Sequence, residues 1–194
     1  MYLALLIHAS SLSFSLPRSK EMKRVLIVDN SPTTLKLFQR HILSMFAHVH
    51  VDTSLSGEDA LDKVKADSSG LNYDLIIVEE RLQKCRSPVC ADMKESLLDL
   101  TGSELLRLIN EMESSTSSKH NGIKHTKARK SPSSRQSLKI GVSVSLGEDC
   151  ESLRKGGADL FWSKPPPKPS NGLRNQMINA LLSKRGKPVF VCGC

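Results

Sequence analysis

Three short apolar runs settle most of what this chain can fold into: VLIVDN (25–30), YDLIIVEE (73–80) and ADLFWSKP (158–165). Each is too short for a helix and lacks the polar alternation of a half-exposed strand. Such runs read as strands buried on both faces, as in a parallel sheet. Each also stops on residues with usable chemistry: Asp29 and Asn30, Glu79, and Lys164. Ligands of an open parallel sheet sit beyond the carboxyl ends of its strands. Two acids, an amide and a lysine are therefore expected at one edge, a set suited to a phosphoryl group with a divalent metal.

The intervening sequence supplies the crossovers. Ser31 reads as an N-cap and Pro32 as a first helical residue, followed by Leu35, Phe38, Ile42 and Met45 at helical spacing to about Phe46. Val49 and Val51 alternate with polar residues, a second strand. Ser56 and Asp59 resemble a capping box opening a helix with Leu61 and Val64 inward. Asp74 to Val78 is the third strand. Thr101-Gly102-Ser103-Glu104 is a further capping box, with Leu105, Ile109 and Met112 as its apolar stripe. Ile140 to Val144 reads as a strand, and a helix from about Glu148 ends near Gly156-Gly157. Leu160 to Trp162 is the fifth strand, and Ser170 caps a last helix carrying Leu173, Met177 and Leu181 on one edge. Strand and helix alternate five times. Right-handed crossovers then place helices on both faces of a five-stranded parallel sheet, a doubly wound, flavodoxin-like α/β fold of (βα)5 type.

Two stretches do not fit that repeat. Residues 83–100 mix cysteines, a proline and charges, and 114–137 is rich in Ser, Lys and His with few large apolar groups. Both read as insertions, the second expected to be disordered because it cannot bury enough surface to order itself. The second insertion also explains the charge. The chain has 194 residues and a formal net charge of +8. Lys119, Lys124, Lys127, Arg129, Lys130 and Arg135 lie together there with no acid among them, and without those six the net charge is +2. A solvated loop without interleaved aromatics does not argue for nucleic-acid binding. Five cysteines (85, 90, 150, 192 and 194) show no disulfide framework, which suits a reducing, intracellular compartment, cytoplasmic or nuclear.

The apolar run near the start is too short to span a bilayer. It is a poorly formed leader, or an extension upstream of a true start at Met22, which is the preferred reading. The domain is then 22–184, with 1–21 disordered or mis-annotated and 185–194 a tail, so the chain reads as a stand-alone domain without a DNA-binding output.

In that order, the pieces VLIVDN, DLIIVEERL, TGSELL, IGVSVS and GGADLFWSKP resemble the response-regulator receiver domain of two-component phosphorelays, over about 23–183. The resemblance implies a role for each matching position. Asp29 and Asn30 fall on the acidic pair that holds Mg²⁺, Glu79 on the phosphoacceptor aspartate, and Arg81 on the position whose backbone carbonyl completes the metal site. Ser143, with Ser145 as the other register, falls on the hydroxyl that contacts the phosphoryl group. Phe161 is the switch aromatic, Lys164 the lysine that pairs with phosphoryl oxygens, and Pro165 follows through a cis bond. The implied partners are a histidine kinase or a histidine phosphotransfer protein, with no nucleic acid or membrane bound directly, and the chain is not expected to be an enzyme.

Three positions depart from the family pattern: Asn30 for an acid, Glu79 for Asp, and Gln83 for a proline. Asn30 keeps an oxygen but loses a charge, so Mg²⁺ affinity should fall. Glu79 carries its carboxylate about 1 Å further than Asp, enough to cost an in-line transfer about a hundredfold. The added reach takes the charge toward the phosphoryl position, there to pair with Lys164 and accept from Ser143. The expected function is thus phosphorelay signalling by a receiver degenerate at its acceptor. The alternative is a pseudo-receiver that binds proteins without phosphorylation. A haloacid-dehalogenase-like phosphatase is disfavoured because it needs an acid two residues after the strand-one aspartate, where Ser31 stands.

Overall fold

The computed structural model describes residues 22–66, 73–82, 100–118, 136–145 and 147–186. The N-terminal extension, the basic stretch, Gln83 and every cysteine except Cys150 lie outside the described residues. Five strands alternate with five helices: β1 (Arg24–Val28), α1 (Pro32–Met45), β2 (His50–Ser54), α2 (Gly57–Ala66), β3 (Leu75–Glu79), α3 (Gly102–Ser118), β4 (Leu138–Ser143), α4 (Glu148–Gly156), β5 (Leu160–Ser163) and α5 (Asn171–Lys184). All strand pairs are parallel, in the order β2-β1-β3-β4-β5. This is the flavodoxin-like arrangement expected above, and its order reverses between β1 and β3.

Alternation of side chains along each strand divides the interior into two cores. Val25, Ile27, Leu75, Ile77, Ile140 and Val142 face Phe38 and Ile42 of α1 and Met177 and Leu181 of α5. Leu26, Val28, Ile76 and Val78 face Ala60 and Val64 of α2, Leu105 and Ile109 of α3, and Leu153 of α4. β1 and β3 are apolar on both faces because helices cover both, whereas β4 turns Ile140 and Val142 to one core and carries Lys139, Gly141 and Ser143 on its other face. The edge strands β2 and β5 are only half-buried.

Local signals worked at the helix starts. Ser31 accepts from the Thr34 amide, and Ser170 from the Leu173 amide at 3.1 Å. Thr101 and Glu104 cap reciprocally, at 3.0 and 3.3 Å. Ser56 accepts from the Asp59 amide, but the Asp59 carboxylate goes to Ser54 and Lys63 and leaves the box half-made. On α2 it is Ala60 and Val64 that are buried, with Leu61 only partly so. Helix α3 runs to Ser118, beyond the expected start of the second insertion at 114. The Ser114 and Ser115 hydroxyls donate back to the carbonyls of Asn110 and Glu111, a compact way to satisfy serine hydroxyls along a helix. Val144, expected in the fourth strand, lies beyond it and is exposed.

Two glycines are dictated by geometry. A Cβ at Gly102 would run into the backbone of Glu79 and Glu80, so α3 starts hard against the end of β3. Gly157 ends α4 with φ +96°, a left-handed cap that favours glycine.

A second polar cluster stands away from the strand carboxyl ends. Lys139, fully buried near the start of β4, pairs with Glu113 of α3 at 2.6 Å, and Glu113 also accepts from the amide and hydroxyl of Ser137. Burial holds the Lys139 ammonium below the usual lysine range, against the pull of Glu113. Asp74 accepts from the amides of Lys23 and Arg24 and pairs with Arg185 at 2.6 Å, which ties α5 to the start of the sheet.

Candidate functional site

Asp29 follows β1 directly, Glu79 is the last residue of β3, and Lys164 follows β5. Strands lie about 4.8 Å apart, so Lys164 must extend past the end of β4 to reach the others. It does: Nζ lies 2.7 Å from Asp29 Oδ2 and pairs closely with Glu79 Oε2. Asp29 and Glu79 are buried, and the Lys164 side chain is 17 % exposed. Asp29 Oδ1 accepts from the Ser31 amide at 2.8 Å. Asp29 Oδ2 has no hydrogen-bond partner, and the Lys164 ammonium is its counter-ion. The peptide bond from Lys164 to Pro165 is cis.

Electrostatics at this edge favour a proton on Glu79. Burial pushes its carboxyl up to about 7; the Lys164 ammonium opposes the shift, and the neighbouring Asp29 carboxylate adds to it. Lys164 is thus the cation that keeps two adjacent carboxylates tolerable in one pocket.

Around this triad the other expected residues take unexpected partners. The Asn30 amide donates to the Arg81 carbonyl at 2.7 Å. The Ser143 hydroxyl does not meet Glu79. It donates to Asp149 Oδ2, in the first turn of α4, at 2.6 Å, with the Ser145 carbonyl as a second acceptor at 2.9 Å. An ionised acceptor makes the shorter and stronger bond. The Arg81 side chain turns to the same acid, with Nε and Nη2 at 3.3 and 3.2 Å from Asp149 Oδ1. The Ser143 hydroxyl, and then Arg81, hold the Asp149 carboxyl below its ordinary range. Phe161 is half-buried on the α4 side of the sheet, beneath the Arg154 guanidinium at 5.4 Å.

The donor types at this edge suit a hard cation: two carboxylates, an amide oxygen and a backbone carbonyl. Their arrangement does not. The Arg81 carbonyl is tied to the nitrogen of Asn30, and Lys164 already sits on both carboxylates. Among the described residues no group of three His, Cys, Asp or Glu side chains could hold a metal ion.

Asp149 and Glu80 carry much of this geometry, and neither stood out in the sequence. Glu80 accepts from the amide and hydroxyl of Ser103 at 2.8 and 2.9 Å, pinning the start of α3 beside the site, and burial raises its carboxyl. Its placement directly after a buried strand and before a T-G-S segment was a usable signal. Asp149 had none, since Glu148 beside it looks the same in sequence.

No protein-family model matches the chain, and no curated protein sequence matches it. Solved structures do. A CheY-like response regulator receiver domain protein from Methanospirillum hungatei aligns over 86% of this chain and 98% of its own, at 18% identity and a TM-score of 0.55. The BeF3-activated DrrB receiver domain aligns over 82% and 97%, at 19% identity and 0.51. The Mg²⁺ complex of the receiver domain of the histidine kinase CKI1 from Arabidopsis thaliana aligns over 80% and 89%, at 22% identity and 0.50. Among the described residues no helix is long and apolar enough to cross a membrane. The chain therefore has the fold of response-regulator receiver domains.

Proposed function

We propose that this chain is a receiver-type module of phosphorelay signal transduction, not an enzyme, that acts through a protein partner and has lost phosphoryl acceptance at position 79. One observation carries the reading: Lys164 reaches across the sheet edge to pair with both Asp29 and Glu79. In a phosphoryl receiver this lysine is needed for the incoming oxygens. Here the Glu79 carboxyl, with the Asp29 carboxylate beside it, already occupies that lysine from within the chain. The partner is a histidine kinase or a histidine phosphotransfer protein, in keeping with the two-component setting of the proteins that share the fold.

The Asn30–Arg81 hydrogen bond favours binding without phosphorylation over a working relay step. Mg²⁺ enters only by breaking that bond and displacing Lys164, so its affinity is weak. The test is binding of beryllofluoride with Mg²⁺, followed by calorimetry and Trp162 fluorescence, on wild type and Glu79→Asp. Wild type should not bind, and Glu79→Asp should. Stoichiometric binding by wild type would show a pocket that still receives a phosphoryl group and would sink the reading.

A further inference from the structure

Residues 83–99, outside the described residues, interrupt the repeat soon after Glu79, and both flanks of that stretch are fixed at one place. A Cβ on Gly57, the first residue of α2, would lie 3.5 Å from Leu82 Cδ1 and 2.7 Å from Leu100 Cβ. The Leu100 amide also donates to the Glu58 carboxylate at 3.1 Å. The stretch therefore leaves and returns at the start of the seam between α2 and α3. Further along, that seam opens into a groove of about 430 Å³, lined by Leu61 and Lys65 of α2 and Leu108, Glu111, Met112 and Ser115 of α3. Leu61, Leu108 and Met112 are half-buried, an apolar strip between two helices whose other sides pack the core.

The sequence of the stretch matches this strip in pattern and in length. Val89, Met93 and Leu97 recur every four residues with Cys90 on the same side, behind Ser87 as an N-cap and Pro88 as a first helical residue. Residues 83–87 in extended form cover about 17 Å, and 88–98 as a helix cover about 16 Å. The stretch thus has the length for one pass along the groove and one back. From Gly57 to Lys65 the groove runs about 12 Å along α2, within that reach.

We infer that residues 88–98 form an amphipathic helix docked in the α2–α3 groove. Leu97, nearest the return point, packs against Leu61 and Leu108. Met93 packs one turn on against Met112, and Val89 and Cys90 reach the level of Ser115. The steps agree, because four residues advance about 6 Å on each helix. Tethered at both ends, the segment faces the groove at an effective concentration of order millimolar or more, which an unlinked partner does not match. Docked there, the residues that follow Glu79 lie along the helices and leave Asp29, Glu79 and Lys164 open to a partner. The inference goes beyond the proposed function and does not depend on it.

The test uses the full chain with Cys90 as its one native thiol, made by Cys85→Ser, Cys150→Ser, Cys192→Ser and Cys194→Ser. Ser115→Cys places a second thiol at the groove; Ser44→Cys, exposed on α1 across the sheet, is the control. Dibromobimane, which fluoresces when both of its arms have reacted, reads the cross-link, with each rate normalised to single-thiol alkylation. Trp162 emission checks folding. Ser115→Cys should cross-link to Cys90 within one chain at least about tenfold faster than Ser44→Cys, and adding Met93→Glu/Leu97→Glu should bring the rate down to the control. Equal rates in the two folded proteins overturn the inference. So does a rate indifferent to Met93→Glu/Leu97→Glu, and so do cross-links formed only between chains, which would give the groove to a second copy.

Discussion

Replacing Lys164 with Met tests the charge arrangement at the sheet edge most directly. The variant keeps the bulk of the side chain and removes its charge. Asp29 Oδ2 then loses its one close partner, and Glu79 faces Asp29 without a cation between them. Taking one partner from a buried ion pair costs about 3–5 kcal/mol. Glu79 can relieve part of that by holding a proton, which burial already favours up to about pH 7. Losing Lys164 raises its folded-state value further. Between the ordinary glutamate value of 4.5 and that raised value, the folded state holds a proton that the unfolded chain has released. Stability therefore falls as pH rises through this window, by up to about 1.4 kcal/mol per unit for one proton and less where solvent at the pocket mouth screens it. Wild type shares this fall up to its own value of about 7, so the loss relative to wild type grows only above it: about 3 kcal/mol near pH 8 against about 2 kcal/mol near pH 5.5. Urea unfolding followed through Trp162 at several pH values measures both. A second substitution, Glu79→Gln, should recover most of the loss near pH 8. A loss independent of pH, or a double variant no more stable than the single, would refute the reasoning.

Other perturbations separate the site from its scaffold. Lys139→Met should cost about 3–5 kcal/mol by taking the counter-ion from the buried Glu113 carboxylate; adding Glu113→Gln should restore part of it, and beryllofluoride binding measured on a Glu79→Asp background should not change. Phe38 stacks on Trp162 with ring centroids 6.2 Å apart, so Phe38→Ala should cost about 3–4 kcal/mol and shift Trp162 emission to the red; unchanged emission would mean the stack is absent in solution. Gly102→Ala forces α3 away from the end of β3 and should cost about 1–3 kcal/mol in denaturant titrations, while Gly172→Ala in α5, where an added Cβ meets only the Ser170 hydroxyl at 3.8 Å, should not destabilise.

The strands and their order followed from short-range properties of the sequence. Runs such as LIIV admit little besides a doubly covered strand, and five alternations with right-handed crossovers leave few topologies. Capping residues located four helix starts correctly because caps depend only on neighbours along the chain: Ser31, Ser56, Thr101 and Ser170. The meeting of Asp29, Glu79 and Lys164 was also legible, because strand-end residues of a parallel sheet share one edge.

What the sequence could not decide was which partner each polar group would choose once assembled. Ser143 had Glu79 and Asp149 as competing acceptors, and its hydroxyl went to Asp149 in the first turn of α4. Asn30 offered an oxygen or a nitrogen, and the nitrogen turned to the Arg81 carbonyl. Nothing along the chain pairs Lys139 with Glu113, which α3 brings against it. The fold was set by periodicity, which is local, and by a chirality rule, which is general. The partner choices depend on distances of a few ångströms between elements far apart in the chain, and only the packed tertiary structure determines those.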